Sequence, residues 1–178
     1  IKVKLMVQVW MALFGVVCVA LIISLPAWAS TNIPTTATFV YVTDFLSGRV
    51  LMEKQKDRPM KPASMAKIMT AYIVFNRIAE GTLALTDQFI VSEKAWKMGG
   101  SRSFLQAGRS YSLDQLLHGV IVQSGNDAAV VIAEGISGTE DNFAAEMNMT
   151  AAKLGMKNTK FTNSTGWPDP ELTTTAHD

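Results

Sequence analysis

Ser64 and Lys67 stand three residues apart. On a helix that spacing places two side chains on one face, with Cβ atoms roughly 5–6 Å apart, so the amine can reach the hydroxyl. A serine hydroxyl is a weak nucleophile at neutral pH and must lose its proton as it attacks. A lysine desolvated among Met65, Ile68 and Met69 would have a lowered pKa and could take that proton. If the helix opens at Pro62-Ala63-Ser64, Ser64 falls in the first turn, where free N–H groups and the positive helix end favour negative charge on an attacked carbonyl. The competing interpretation is an ordinary helix start with a capping serine and a solvated lysine. Against it, no other serine in the chain has a lysine three residues on.

Ser124-Gly125-Asn126 is the second candidate. Between two helices, a loop with a permissive glycine can aim both polar side chains into a cleft, Ser124 relaying a proton near Lys67 and the Asn126 amide binding a substrate peptide group. Equally, these residue types form turns for local reasons, with Asn126 or Asp127 capping the next helix. Elsewhere the chemistry is thinner. His118 reads as a helix-face residue without an identifiable partner, and His177 lies next to the last residue. Glu93, Asp114 and Glu134 form no recognisable carboxylate pair or metal set. Asn148-Met149-Thr150 and Asn163-Ser164-Thr165 match the short glycosylation triplet.

These residues need elements to hold them. Phe39–Val42 and Val50–Met52 are β-prone runs around a turn-rich stretch from Asp44 to Gly48, which predicts a β-hairpin. Apolar residues at Met65, Ile68, Met69, Tyr72, Ile73 and Phe75 follow the i, i+3, i+4, i+7 pattern of one helix face, bounded by Pro62 and Gly81. Phe89–Val91 reads as a short strand, Gly99–Gly108 as a loop or hairpin, and Leu113–Val122 as a helix capped by Ser112. A buried helix over Asp127–Glu134 ending at Gly135 and another over Glu140–Leu154 ending at Gly155 complete the pattern. A turn-dense loop spans Asn163 to Pro170.

In their extended contexts, Pro62-Ala63-Ser64-Met65-Ala66-Lys67-Ile68-Met69-Thr70 and Val122-Gln123-Ser124-Gly125-Asn126-Asp127-Ala128 resemble the low-molecular-weight penicillin-binding proteins of the D-Ala-D-Ala carboxypeptidase group. That family carries Ser-x-x-Lys, then Ser-x-Asn, then Lys-Thr-Gly. The resemblance runs from about Thr38 to the end and includes Phe161-Thr162-Asn163, Thr165-Gly166 and Thr174-Thr175-Ala176. It implies an α+β (α/β) fold of the β-lactamase/transpeptidase type, an antiparallel sheet flanked by helices with the nucleophile at the start of the central helix. It also implies Ser64 as acylated nucleophile, Lys67 as general base, and Ser124 and Asn126 as proton relay and substrate ligand. Peptidoglycan stem peptides would be the substrates, β-lactams the covalent inhibitors, and no metal or organic cofactor is needed. Gly125 at the middle position leans toward the carboxypeptidases and away from class A β-lactamases. A transpeptidase, a serine β-lactamase, or a catalytically silent peptidoglycan-binding scaffold are the other readings.

One departure stands out: no Lys-Thr-Gly, Lys-Ser-Gly or His-Thr-Gly occurs in the 178 residues. In the family that motif lies on a later strand, so residues 38–178 are expected to be the N-terminal part of the domain, with an incomplete site and an unpaired hairpin edge. At the other end, Lys2 and Lys4 precede an uncharged run from Leu5 to Leu25, then Pro26 and Ala27-Trp28-Ala29. This is the layout of a secretory signal peptide over residues 1–29, followed by a polar linker at 30–37. The run is also long enough to suggest a retained membrane anchor. Either way the domain is expected outside the cytoplasm, in a bacterial periplasm or on the outer face of the membrane. Residues 1–29 hold Lys2, Lys4 and no acid, so the remainder has 14 basic against 15 acidic side chains. That balance offers no footprint for nucleic acid. The one cysteine, Cys18, lies in the apolar run, so the mature chain is expected to have no thiol.

Overall fold

The computed structural model describes residues 34–178. The expected export segment and its cleavage point, and residues 30–33 of the expected linker, lie outside the described residues.

Strands β1 (Val40–Thr43) and β2 (Val50–Lys54) form the expected antiparallel hairpin, Val40 opposite Lys54 and Val42 opposite Met52. Asp44 ties its turn, its Oδ1 accepting from the Ser47 N–H at 2.8 Å, an Asx-type turn. Among the described residues β1 and β2 pair only with each other as strands. A 3-10 turn, Ala63–Met65, leads directly into α1 (Ala66–Ala79). Ser64 therefore sits in the turn before the α-helix rather than inside its first turn.

The apolar positions of α1 do not all share one buried face. Met69, Ile73 and Val74 are in the core, whereas Met65, Ile68, Tyr72 and Phe75 face outward. A second antiparallel pair joins β3 (Gln88–Ile90) to β4 (Ser110–Ser112), and α2 (Glu93–Trp96), capped by Ser92, lies between them in sequence. Both β4 and α2 are too short to show a period in the sequence. Helix α3 (Leu113–Gln123) starts with a capping box, Ser112 accepting from the Gln115 N–H while the Gln115 side chain accepts from the Ser112 N–H.

Helix α4 (Asn126–Ser137) is the enclosed one, with every residue from Asn126 to Ala133 buried. Its run of Ala and Val lets α3, α1 and β3 approach closely. It does not stop at Gly135, as the sequence suggested, but runs two residues further. Gly135 is a packing glycine: a Cβ there would overlap the Phe89 ring. Helix α5 (Glu140–Leu154) matches its expected bounds, with Thr139 accepting from the Asn142 N–H and Gly155 closing it at φ +81°.

Two apolar clusters result, one of α3, α4 and Phe89, the other of Met69 and Ile73 on α1 against Phe143, Met147, Phe161 and Leu172. Polar contacts align the second. Arg77 on α1 makes a bidentate pair with Glu146 on α5. The Asn148 amide donates to the Ala144 and Phe161 carbonyls and accepts from the Phe161 N–H, so the nitrogen that a glycan would need is engaged. Beyond α5 the chain returns to the foot of α1. Met60 bridges Thr174, and the Lys61 ammonium donates to the carbonyls of Asp169, Pro170 and Leu172 at 3.0, 2.8 and 2.7 Å.

Candidate active site

Ser64 follows Ala63, a non-glycine residue at φ +48°, and the nucleophile turn is thus set in a sparsely populated backbone region. Lys67 is the second residue of α1 and is 4% exposed. Its Nζ lies 3.2 Å from Ser64 Oγ and donates to the Thr165 carbonyl at 2.8 Å. Burial holds the amine down to about 8 from its usual 10.5, because the charged form is disfavoured away from water. About a tenth of the lysine is then neutral at pH 7 and able to accept a proton.

The expected environment for Lys67 needs correction. Met65 and Ile68 are adjacent in sequence but are exposed, Ile68 to 71%, and do not enclose the amine. Met69 is buried, and the turn that delivers Thr165 closes on the amine from a distant part of the chain. That turn presses on Ser64 directly: Gly166, at φ +80°, lies so close that a Cβ would overlap the Ala63 carbonyl and stand 3.1 Å from the Ser64 nitrogen. Among the described residues no hydrogen bond uses the Ser64 N–H.

Ser124 caps α3 in the left-handed region, φ +54°, and this reversal swings the chain from α3 into α4. A cavity of about 440 Å³ opens over Ser64, Lys67 and Ser124 and runs along Ile68, Tyr72, Phe75 and Ile121. Three of the four expected site residues therefore share one cavity. Asn126 does not line it. It is buried at the start of α4, where its Nδ2 donates to the Gly99 carbonyl at 2.8 Å and its backbone N–H to the Ser101 carbonyl at 2.8 Å. Asp127 clamps the same loop, accepting from the N–H groups of Ser103 (2.8 Å), Leu105 (3.1 Å) and Ala128 (2.9 Å). His118 is an exposed helix residue bonded to the Asp114 carbonyl of its own helix.

Sequence reasoning missed the Thr165 carbonyl, the Asp127 clamp and the role of Gly166. Only the turn chemistry of Asn163–Gly166 hinted at them, and it does not name a partner.

A hydroxyl within reach of a buried, partly neutral amine, with a second serine on the same cavity, can carry out acyl transfer through a serine ester. The family model described as D-alanyl-D-alanine carboxypeptidase matches residues 28–178. Relatives include the D-alanyl-D-alanine carboxypeptidase DacF of Bacillus subtilis, 40% identical over 132 residues, covering 74% of this chain and 34% of that protein. DacC of Escherichia coli is 39% identical over 141 residues, with 76% and 35% covered. The crystal structure of the carboxypeptidase DacD from Francisella tularensis superposes with a TM-score of 0.81 at 41% identity, over 83% of this chain and 36% of that one. Penicillin binding protein 5 from Haemophilus influenzae gives a TM-score of 0.80 at 37% identity, over 83% and 44%. The chain spans about a third of the length of the curated relatives it matches.

Proposed function

Because this chain belongs to the D-alanyl-D-alanine carboxypeptidase family, the S11 serine peptidases, we propose that Ser64 is the nucleophile and Lys67 the general base of a penicillin-binding D-alanyl-D-alanine carboxypeptidase. The observation that carries this reading is the buried Lys67 amine, held down to about 8 and 3.2 Å from the Ser64 hydroxyl. In the reaction, Ser64 Oγ bonds to the carbonyl carbon between the last two D-alanines of a stem peptide while its proton passes to Lys67 Nζ. The Ser64 N–H, free of other bonds among the described residues, donates to the developing oxyanion. Collapse breaks the C–N bond, and the proton returns from Lys67 through Ser124 to the departing D-alanine amine. Water then hydrolyses the ester, Lys67 again taking and returning a proton.

Asn126 enters this reading with one amide N–H already given to Gly99, so its remaining N–H and its Oδ1 are what a substrate peptide group can use. Peptidoglycan stem peptides are the substrates, β-lactams acylate the same serine, and the exported domain works at the outer face of the cytoplasmic membrane or in the periplasm. Labelling the full-length protein with a fluorescent penicillin, beside Ser64→Ala, tests the assignment. Label on the wild type and none on the variant is the expected result. Equal label on both removes Ser64 from the mechanism.

A further inference from the structure

Beyond supplying a carbonyl to Lys67, the turn after α5 is itself held by one side chain. Asn163 Oδ1 accepts from four donors of its own turn: the Thr165 N–H (3.2 Å), the Thr165 hydroxyl (2.9 Å), the Gly166 N–H (2.8 Å) and the Trp167 N–H (3.0 Å). Its Nδ2 donates to the Trp167 carbonyl at 3.0 Å. Three successive N–H groups gathered on one oxygen curl the backbone around it, an extended form of the Asx turn. With those donors turned inward, two carbonyls are left to point at α1. The Ser164 carbonyl accepts from the Thr70 hydroxyl at 2.7 Å, and the Thr165 carbonyl accepts from Lys67 at 2.8 Å. Behind the turn, buried Glu140 accepts from the Ser164 N–H and hydroxyl and pairs with Lys94 at 2.7 Å. Ser164 and Thr165 are buried, so the donors on these two residues have no solvent to fall back on, whereas Trp167 is exposed.

We propose that Asn163 is a positioning residue for the general base: its side-chain oxygen folds the 163–167 turn so that the Thr165 carbonyl meets Lys67 Nζ and water is kept from the amine. The proposal rests on the reading of Lys67 as the base of Ser64, and it gives that reading its second support outside α1. The amine meets the Ser64 hydroxyl and the Thr165 carbonyl, and Tyr72 and Ser124 line the same cavity. The charged groups bonded to the turn and the segment after it are Glu140, with Lys94, and Lys61. None of these sits on Lys67 itself, and burial is the cause of its lowered pKa. Losing the Asn163 acceptor leaves the N–H groups of Thr165 and Gly166 seeking water, the Trp167 N–H keeping the Thr165 hydroxyl at 3.0 Å. The turn then opens, Lys67 is hydrated, and its pKa climbs back toward 10.5. Each unit of rise cuts the neutral amine at pH 7 about tenfold.

The test uses the full-length protein with Asn163→Leu, which has no acceptor, and Asn163→Ser, whose hydroxyl caps such turns more weakly. Neither adds charge. Two readouts are taken: the titration of the Lys67 ε-carbon by NMR, assigned with Lys67→Arg, and the pH profile of acylation by a fluorescent penicillin. The expected order of titration midpoints is wild type, then Ser, then Leu. The Leu variant should be acylated about tenfold more slowly than wild type at pH 7 and recover at high pH. Folded variants whose Lys67 titrates as in the wild type would overturn the proposal, and if the Leu variant does not fold, an unchanged Ser midpoint does so. Wild-type protein that titrates as described but takes up no penicillin sinks the acyl-enzyme reading instead, and the order of midpoints still decides the role of Asn163.

Discussion

Substituting Gly166 by alanine probes the contact on which the site depends most. Gly166 lies at φ +80°, a conformation that costs an L-residue about 1–2 kcal/mol. Its missing Cβ would also overlap the Ala63 carbonyl and press on the Ser64 nitrogen at 3.1 Å. The obstacle is backbone rather than a flexible side chain, so the turn must retreat by more than an ångström. Overpacking of that kind adds about 1–3 kcal/mol, for a total of about 2–5 kcal/mol and a fall in Tm of roughly 4–20 °C for a domain this size. The same retreat stretches the 2.8 Å bond from Lys67 to the Thr165 carbonyl past hydrogen-bond range, so penicillin acylation should slow at least about tenfold. Gly155→Ala is the control. Gly155 has φ +81° but nothing within 4 Å of its added Cβ, so it bears the backbone cost alone and should label at the wild-type rate. Thermal melts and stopped-time labelling of both variants separate strain from clash. If Gly166→Ala melts and labels like Gly155→Ala, the contact with the nucleophile turn does not matter and the reasoning fails.

With the Lys67 amine held at about 8, the acylation rate should rise about tenfold between pH 7 and pH 9 and then level off, and a flat profile measured with a penicillin would exclude Lys67 as the base. The sign for stability follows from the same depression. Between about 8 and 10.5 the unfolded chain holds the Lys67 proton and the folded one does not, so folding stability contributed by this group rises with pH across that window, as denaturant melts at pH 8 and pH 10 can check in comparison with Lys67→Met. Asp127→Ala should leave the Ser103 and Leu105 N–H groups without their acceptor, at about 1–3 kcal/mol each. Tm should fall and amide exchange at Ser103 and Leu105 should accelerate, whereas unchanged exchange would show that the clamp is dispensable.

The features legible in the sequence were those decided by neighbours along the chain. The β1–β2 hairpin, the Ser112 cap and the bounds of α5 follow from period, turn residues and caps, each acting over a few positions. Gly135 shows where that logic stops. Its residue type signals a helix end, but the Phe89 ring lying against it comes from 46 positions away, and the helix continues to Ser137. The α1 pattern misled for a related reason. Met65, Ile68, Tyr72 and Phe75 have core-like residue types but line or adjoin an open cavity beside Ser64, and periodicity reports apolar character without reporting what covers it. Ser64, Lys67 and Ser124 share one cavity as the sequence suggests, whereas of Met65, Ile68 and Met69 only Met69 is buried.

Local rules are broken at the positions where the site is assembled. Ala63 and Ser124 both occupy the left-handed region, which disfavours residues with a Cβ, and each adjoins the cavity that holds Lys67. Such strain persists only where surrounding contacts over-determine it. At Ala63 the contact is Gly166, packed on its carbonyl. At Ser124 it is the reversal fixed by the Gly125 N–H donating to the Gly119 carbonyl at 2.9 Å and by Asn126 bonded to Gly99 and Ser101. Gly125 and Gly166 are thus the counterparts of the strained residues: each permits a close approach that holds its partner in place. A substitution that relaxes either approach should release Ala63 or Ser124 into an ordinary conformation and move a hydroxyl away from Lys67. The geometry of the pair then depends less on the helix that carries Lys67 than on the two turns, 124–126 and 163–167, that close on it from distant parts of the chain.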